Sequence, residues 1–125
     1  MAASNSVLEM RQAIAGRFPD EARRADTRLV DGYFDPDAHA TWLEEFSQAT
    51  TDAMKKRDEK AVKDQLSFMS EQLVHGDAVV RQHIDVFYVE SLMWDLDETL
   101  KSWAWGLIPS NLKELYVAMW GEPKS

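Results

Sequence analysis

Apolar residues recur at intervals of three and four along almost the whole chain, the period of an α-helix rather than the alternation of a strand. Val7, Leu8, Met10, Ile14 and Phe18 follow this spacing after Ser4 or Asn5, either of which suits a helix N-cap. Gly16 weakens the end of that helix, and Pro19 suits the first turn of a second, over 19–30, which gathers Arg23, Arg24 and Arg28. Asp31-Gly32-Tyr33-Phe34-Asp35-Pro36 then breaks the period and reads as a loop. Asp35 suits the cap, and Pro36 the first position, of a helix reaching about Lys56. On it Trp42, Leu43, Phe46, Ala49, Thr50, Ala53 and Met54 form one stripe, which sets Glu44, Glu45, Gln48 and Asp52 on the water-facing side.

Lys56-Arg57-Asp58-Glu59 reads as a tight turn with Asp58 as the next cap. Val62, Leu66, Met69 and Leu73 repeat at helical spacing up to His75-Gly76, where a glycine suits a helix end. Asp77 caps a helix predicted over 78–93, whose Val79, Val80, His83, Ile84, Val86, Phe87, Val89, Leu92 and Met93 cover more than half its circumference. A helix that apolar packs on several sides. Asp95 or Asp97 caps a further helix through Trp105, ended by Gly106 and Pro109, and Ser110 caps a last one over 111–120. The run Val86 to Val89 alone has strand character, and it lies inside a helical pattern. The pattern predicts an all-α, single-domain bundle of about six or seven helices, with N-terminal helices over 1–30 and a core over 37–120.

Composition agrees with one globular domain: 125 residues, 45% hydrophobic and 10% aromatic. The absence of cysteine removes disulfides, thiol nucleophiles and cysteine metal sites. MAASNSVLEM lacks the basic and apolar regions of a secretory signal, and no apolar run nears the ~20 residues that span a bilayer. The expected location is therefore the cytoplasm, with no membrane partner.

Charge changes the picture most. Of the net −8, residues 31–54 contribute six acids and no Lys or Arg, and residues 64–98 contribute eight acids against Arg81. Lys55, Lys56, Arg57, Lys60 and Lys63 sit between the two blocks. Blocks of one sign forgo the i,i+4 pairs that support a helix, and create a field that steers a cationic partner. The same acidity disfavours nucleic acid as a direct partner.

Chemistry is harder to find. His39, His75 and His83 stand at no metal-ligand spacing, no Glu-x-x-His pair occurs, and Asp95-x-Asp97-Glu98 lacks the glycine and distal glutamate of a calcium loop. Neither a glycine-rich phosphate loop nor a nucleophile motif is present. The expectation is no catalysis, no metal and no cofactor, with His83 hydrogen-bonded in the core. Trp103 and Trp105 point about 200° apart on one helix. The last helix is expected to cover one, leaving room for the other as an exposed anchor.

His75-Gly76-Asp77-Ala78-Val79-Val80-Arg81, followed by an apolar helix, resembles the entry to a HEAT-type repeat, which implies helices 37–56, 59–74 and 78–93 stacked as HEAT-like hairpins. With Phe18-Pro19, the Asp-Gly-Tyr-Phe loop at 31–34, Val80-Arg81, Glu90 and Leu107-Ile108-Pro109, the chain resembles small all-helical bacterial immunity proteins that neutralise contact-dependent or type VI secreted toxins. That resemblance implies a cognate protein toxin as partner and inhibition by covering it; a basic, nuclease-type effector would suit an acidic surface. The charge pattern nominates Asp31, Tyr33, Asp35, Glu44, Glu45 and Asp52 from the first block as contact residues. From the second it nominates Asp85, Glu90, Asp95, Asp97 and Glu98. Two other readings stay open. One is an adaptor or secretion chaperone holding a partner peptide in an apolar groove of Met69, Met93 and the tryptophans. The other is a small helical enzyme using His83 with Asp85 or Glu90.

Overall fold

The computed structural model describes residues 6–123, so the cap expected at Ser4 or Asn5 lies outside the described residues. Seven α-helices follow in order: α1 (Ser6–Arg17), α2 (Pro19–Asp31), α3 (His39–Lys55), α4 (Glu59–His75), α5 (Ala78–His83), α6 (Glu98–Trp105) and α7 (Ser110–Trp120). A π-helical segment (Ile84–Val89) continues α5 without a break. The described residues contain no strand, and the protein is a single all-α domain.

Three of the expected caps form. The carboxylates of Asp58, Asp77 and Asp97 accept from the backbone N–H groups of Ala61, Val80 and Leu100, which settles the choice between Asp95 and Asp97 at α6. Two do not. Ser110 lies inside α7, with Pro109 at its N-cap. Asp35 accepts from Asp37 N–H at 2.8 Å in a local turn, and α3 starts later, at His39, without a side-chain cap. The cause is tertiary: Arg11 of α1 donates to the Pro36 carbonyl at 2.9 Å and meets His39 Nδ1 at 2.9 Å, holding the 32–38 loop outside the helix. α2 closes on Tyr33 rather than Gly32. Tyr33 takes the left-handed conformation (φ 58°) while Phe34 N–H reaches back to the Leu29 carbonyl.

α3 is the centre of the molecule. It packs against α1, α2, α4, α6 and the π segment, and α1 also reaches α5, so distant parts of the chain share one core. Val7, Met10, Ile14 and Phe18, from the N-terminal region, belong to the same buried cluster as the rest. Phe46 of α3 lies among the rings of Trp42, Phe18 and Tyr88, with centroids 6.2, 5.9 and 5.6 Å away.

The helix expected over 78–93 does not persist. Tyr88 and Val89 are both fully buried, as are Leu92 and Met93. The turn widens in this stretch, where the chain packs closely on α3. Glu90 N–H accordingly bonds the Asp85 carbonyl, and the chain then descends through tight turns to Leu96, with Met93 in the left-handed region (φ 63°). Polar groups on the buried face of α3 receive it. Ser47 Oγ donates to the Tyr88 carbonyl at 2.7 Å, and Thr51 Oγ1 accepts from Met93 N–H at 3.0 Å. The Tyr88 hydroxyl bonds Thr50 Oγ1 at 2.9 Å, and Thr50 donates onward to Gln65 Oε1 of α4 at 2.6 Å. Burial pushes the Tyr88 phenol pKa up, keeping it neutral.

Thr51→Val keeps the shape of the side chain but strands Met93 N–H. The expected loss is about 1–3 kcal/mol, seen as a lower urea midpoint. Val30→Thr, at a site 74% exposed, should leave the midpoint unchanged. An unaltered midpoint in Thr51→Val would contradict the role given to this bond.

Candidate binding face

The acidic blocks look different once the helices are packed. Arg24 of α2 bridges Glu45 at 2.6 Å and Asp52 at 2.8 Å, both on α3. Lys55 in turn pairs with Asp52 and with Asp95 of the turn after the π segment, and Gln48 Nε2 donates to Asp52 at 3.1 Å. The Lys55 hydrogen bond holds the Asp95 carboxyl below its ordinary range. Burial would raise that of Asp52, but bonds from Gln48 and Arg24 and the charges of Arg24 and Lys55 outweigh it and the net shift is downward. Glu45 and Asp52, expected to face water, are therefore half-buried parts of an ion network joining α2, α3 and the 90–97 turn. Asp95 belongs to the same network, and Asp97 is occupied as the α6 cap.

Part of what remains gathers around two exposed tryptophans. Trp94, at the end of the turn series, is 70% exposed, and Trp120, the last residue of α7, is 50% exposed; their rings lie 6.3 Å apart, tilted by 55°. Trp120 Nε1 donates to the Glu90 carbonyl at 3.1 Å, which fixes α7 to the turn. Two grooves meet at this pair. One, of about 520 Å3, is walled by Glu44, Gln48, Glu90 and Arg28; the other, of about 640 Å3, by Glu90, Glu98, Lys101 and Tyr116. Trp94 and Trp120 line both. Glu44, Glu90 and Glu98 form no ion pair with a described residue. The Glu44 carboxyl is held above its ordinary range by burial and then by the nearby charge of Glu90, against the opposing pull of Arg28.

Of the nominated contact residues, the structure thus brings Glu44, Glu90 and Glu98 to one face, with Glu45 at its edge. Asp31, Tyr33, Asp35 and Asp85 line neither groove. Tyr33 stands 96% exposed on its loop, and Asp85 is half-buried in the π segment. The last helix covers one of the α6 tryptophans as expected, but the other is not an exposed anchor. Both Trp103 and Trp105 are half-buried, Trp103 under Arg57 and Trp105 against Tyr116 and Lys113. The exposed pair is Trp94 and Trp120, which helical periodicity alone did not single out. A signal was present: each sits at the end of an element, next to Asp95 or Gly121. His83 is not in the core either; it is half-buried, bonds the Val79 carbonyl at 2.9 Å and lies against Phe87. Met69 and Met93 are fully buried, so neither offers an open apolar surface. Among the described residues no group of three His, Asp or Glu side chains is placed to hold a metal ion, and no helix is long and apolar enough to cross a membrane.

Arg24→Met removes the cation shared by Glu45 and Asp52. Because Arg24 is more than a third exposed, screening limits the expected loss to about 1 kcal/mol at neutral pH. Asp52 and Asp95 have depressed carboxyl pKa values, so their contribution is full above the unfolded value near 3.8 and is lost as pH falls on through the lowered folded values. Urea titrations at pH 7 and pH 3 should therefore show the gap between wild type and Arg24→Met closing in acid. A gap that is constant with pH would show that Arg24 acts by packing rather than by charge.

The sequence model of a family described as a domain of unknown function, DUF7674, matches residues 11–121. No curated protein and no solved structure matches the chain. The matched range takes in α2 to α7, most of α1, and every residue of the ion network and the tryptophan pair; the chain belongs to the DUF7674 family.

Proposed function

We propose that this protein is an immunity- or antitoxin-type inhibitor: it binds a cognate secreted toxin domain and covers it, without chemistry of its own. One observation carries this reading. Carboxylates that the fold leaves unpaired, Glu44, Glu90 and Glu98, converge on an exposed tryptophan pair. Tryptophan is enriched where binding energy concentrates, and an acidic rim speeds the approach of a basic protein. A basic, nuclease-type effector suits such a face, and acts here as a protein partner in place of nucleic acid. The proposed site of action is the cytoplasm. The resemblance to bacterial immunity proteins in Phe18-Pro19, the 31–34 loop and Val80-Arg81 supports the same reading. The alternative, an adaptor or secretion chaperone holding a partner peptide, is favoured by the two grooves beside Trp94 and Trp120; it differs in expecting little salt dependence.

The test is association with a candidate toxin domain sought in the neighbouring reading frames, followed by stopped-flow mixing. Glu44→Lys with Glu90→Lys should slow association about tenfold at low salt, and the difference should shrink at high salt. An association rate indifferent to both the substitutions and the salt would overturn the electrostatic part of the reading. A toxin domain that neither binds the protein nor is restrained by it during co-expression would overturn the whole.

A further inference from the structure

We propose that the cleft beside Trp94 is an arginine subsite: an extended segment of the partner lays a guanidinium on the open Trp94 ring and pairs it with Glu44 and Glu90. This deepens the function proposed above and rests on it.

The tryptophans themselves make the argument. Three of the five carry a cation of their own chain over the ring: Arg11 over Trp42 at 4.9 Å, Arg57 over Trp103 at 5.4 Å, and Lys113 over Trp105 at 5.1 Å. Trp94 and Trp120 carry none among the described residues, and they are the exposed pair. The fold thus pairs its other indoles with internal cations and leaves these two open, in the place where carboxylates lack partners.

Charge complementarity then fixes the occupant. Five carboxylates and two cations line the combined grooves. Of the cations, Arg28 already lies over the Phe34 ring at 5.0 Å, and Lys101 lines the groove of Glu98 but not the one that Glu44 and Glu90 share. Of the carboxylates, Glu45 is taken by Arg24. Glu44 and Glu90 both line the groove beside Trp94, near enough that the charge of Glu90 acts on Glu44, and a guest cation would relieve that repulsion. Arginine fits better than lysine because its planar guanidinium stacks on an indole while its edge donates two parallel bonds to a carboxylate. The pocket wall is rigid on one side, since the Trp120 indole is tied to the Glu90 carbonyl. An apolar occupant would leave Glu44 and Glu90 with less water and only Arg28, held over the Phe34 ring, as counter-charge.

The experiment needs no toxin. The full chain is titrated with an acetylated, amidated Gly-Arg-Gly-Arg-Gly peptide while the indole N–H signals of Trp94 and Trp120 are followed by NMR. The same peptide with citrulline, neutral and of similar shape, and with lysine serve as comparisons. The arginine peptide should shift both indoles saturably, with a dissociation constant on the order of 1 mM. The lysine peptide should bind several-fold more weakly, and citrulline should produce no saturable shift. Glu44→Gln with Glu90→Gln, and separately Trp94→Ala, should each weaken the arginine peptide at least fivefold; Trp94 is exposed, so that variant keeps the fold.

Equal shifts from citrulline would overturn the proposal in favour of simple apolar stacking. Arginine-induced shifts confined to the 31–37 loop would place the subsite elsewhere and overturn it too. Indole shifts that appear on concentrating the protein alone would assign the cleft to a second copy of this chain. A toxin domain that fails to bind while the peptide titration succeeds removes the function proposed above, not the subsite. Toxin binding unaffected by Trp94→Ala removes the subsite and leaves the function.

Discussion

Ser47, Thr50, Thr51 and Gln65 are the buried polar residues described in this protein, and their side chains bond to one another or to the chain between Tyr88 and Met93. Each buried polar group costs ~1–3 kcal/mol if left unpaired, so a packing that shifts this segment by one residue strands several at once. The network therefore selects one register for the chain as it leaves α5. It also decides what the protein shows to solvent. With Tyr88 and Met93 held against α3, Glu90 and Trp94 fall on the outside of the turn, where Glu44 and Trp120 already stand. The polar core and the candidate binding face are two sides of one short segment.

The ion network works at the next level out. Arg24, Lys55 and Gln48 tie the acids of α3 to α2 and to Asp95, so the turn that carries Trp94 is fastened from the surface as well as from the core. Partly exposed pairs of this kind add modest stability individually. Their larger effect is to remove Glu45, Asp52 and Asp95 from the open acidic surface, leaving Glu44, Glu90 and Glu98 as the unpaired acids beside Trp94 and Trp120.

The elements most legible in the sequence were those whose burial follows a single helical stripe. Trp42, Leu43, Phe46 and Met54 on α3, and Val62, Leu66 and Met69 on α4, all lie where the spacing puts them. Asp58, Asp77 and Asp97 announced their helices because capping is a local interaction. What was illegible depended on partners distant in sequence. Ser47 and Thr51 read as neutral positions on a helix face until the Tyr88 carbonyl and Met93 N–H are placed against them. Counting charge along the chain could not show that Arg24 belongs to the acids 21 and 28 residues further on. The widened turn had a trace, the β-branched and aromatic residues of 84–89, but a helical period absorbs such a run. The tryptophans were mistaken for the same reason. Trp103 and Trp105 point apart on α6, yet Arg57, Tyr116 and Lys113 come from elsewhere to cover both.

The account comes down to one surface, centred where the turn after the π segment meets the end of α7. The most direct measurement is a hydrogen-exchange footprint of the complex with the toxin domain proposed as its partner. The account predicts slowed exchange centred on residues 41–48, 90–94 and 116–121, with α4 unaffected. Protection centred on α4 and the exposed end of α5, leaving the backbone around Trp94 and Trp120 unchanged, would contradict it.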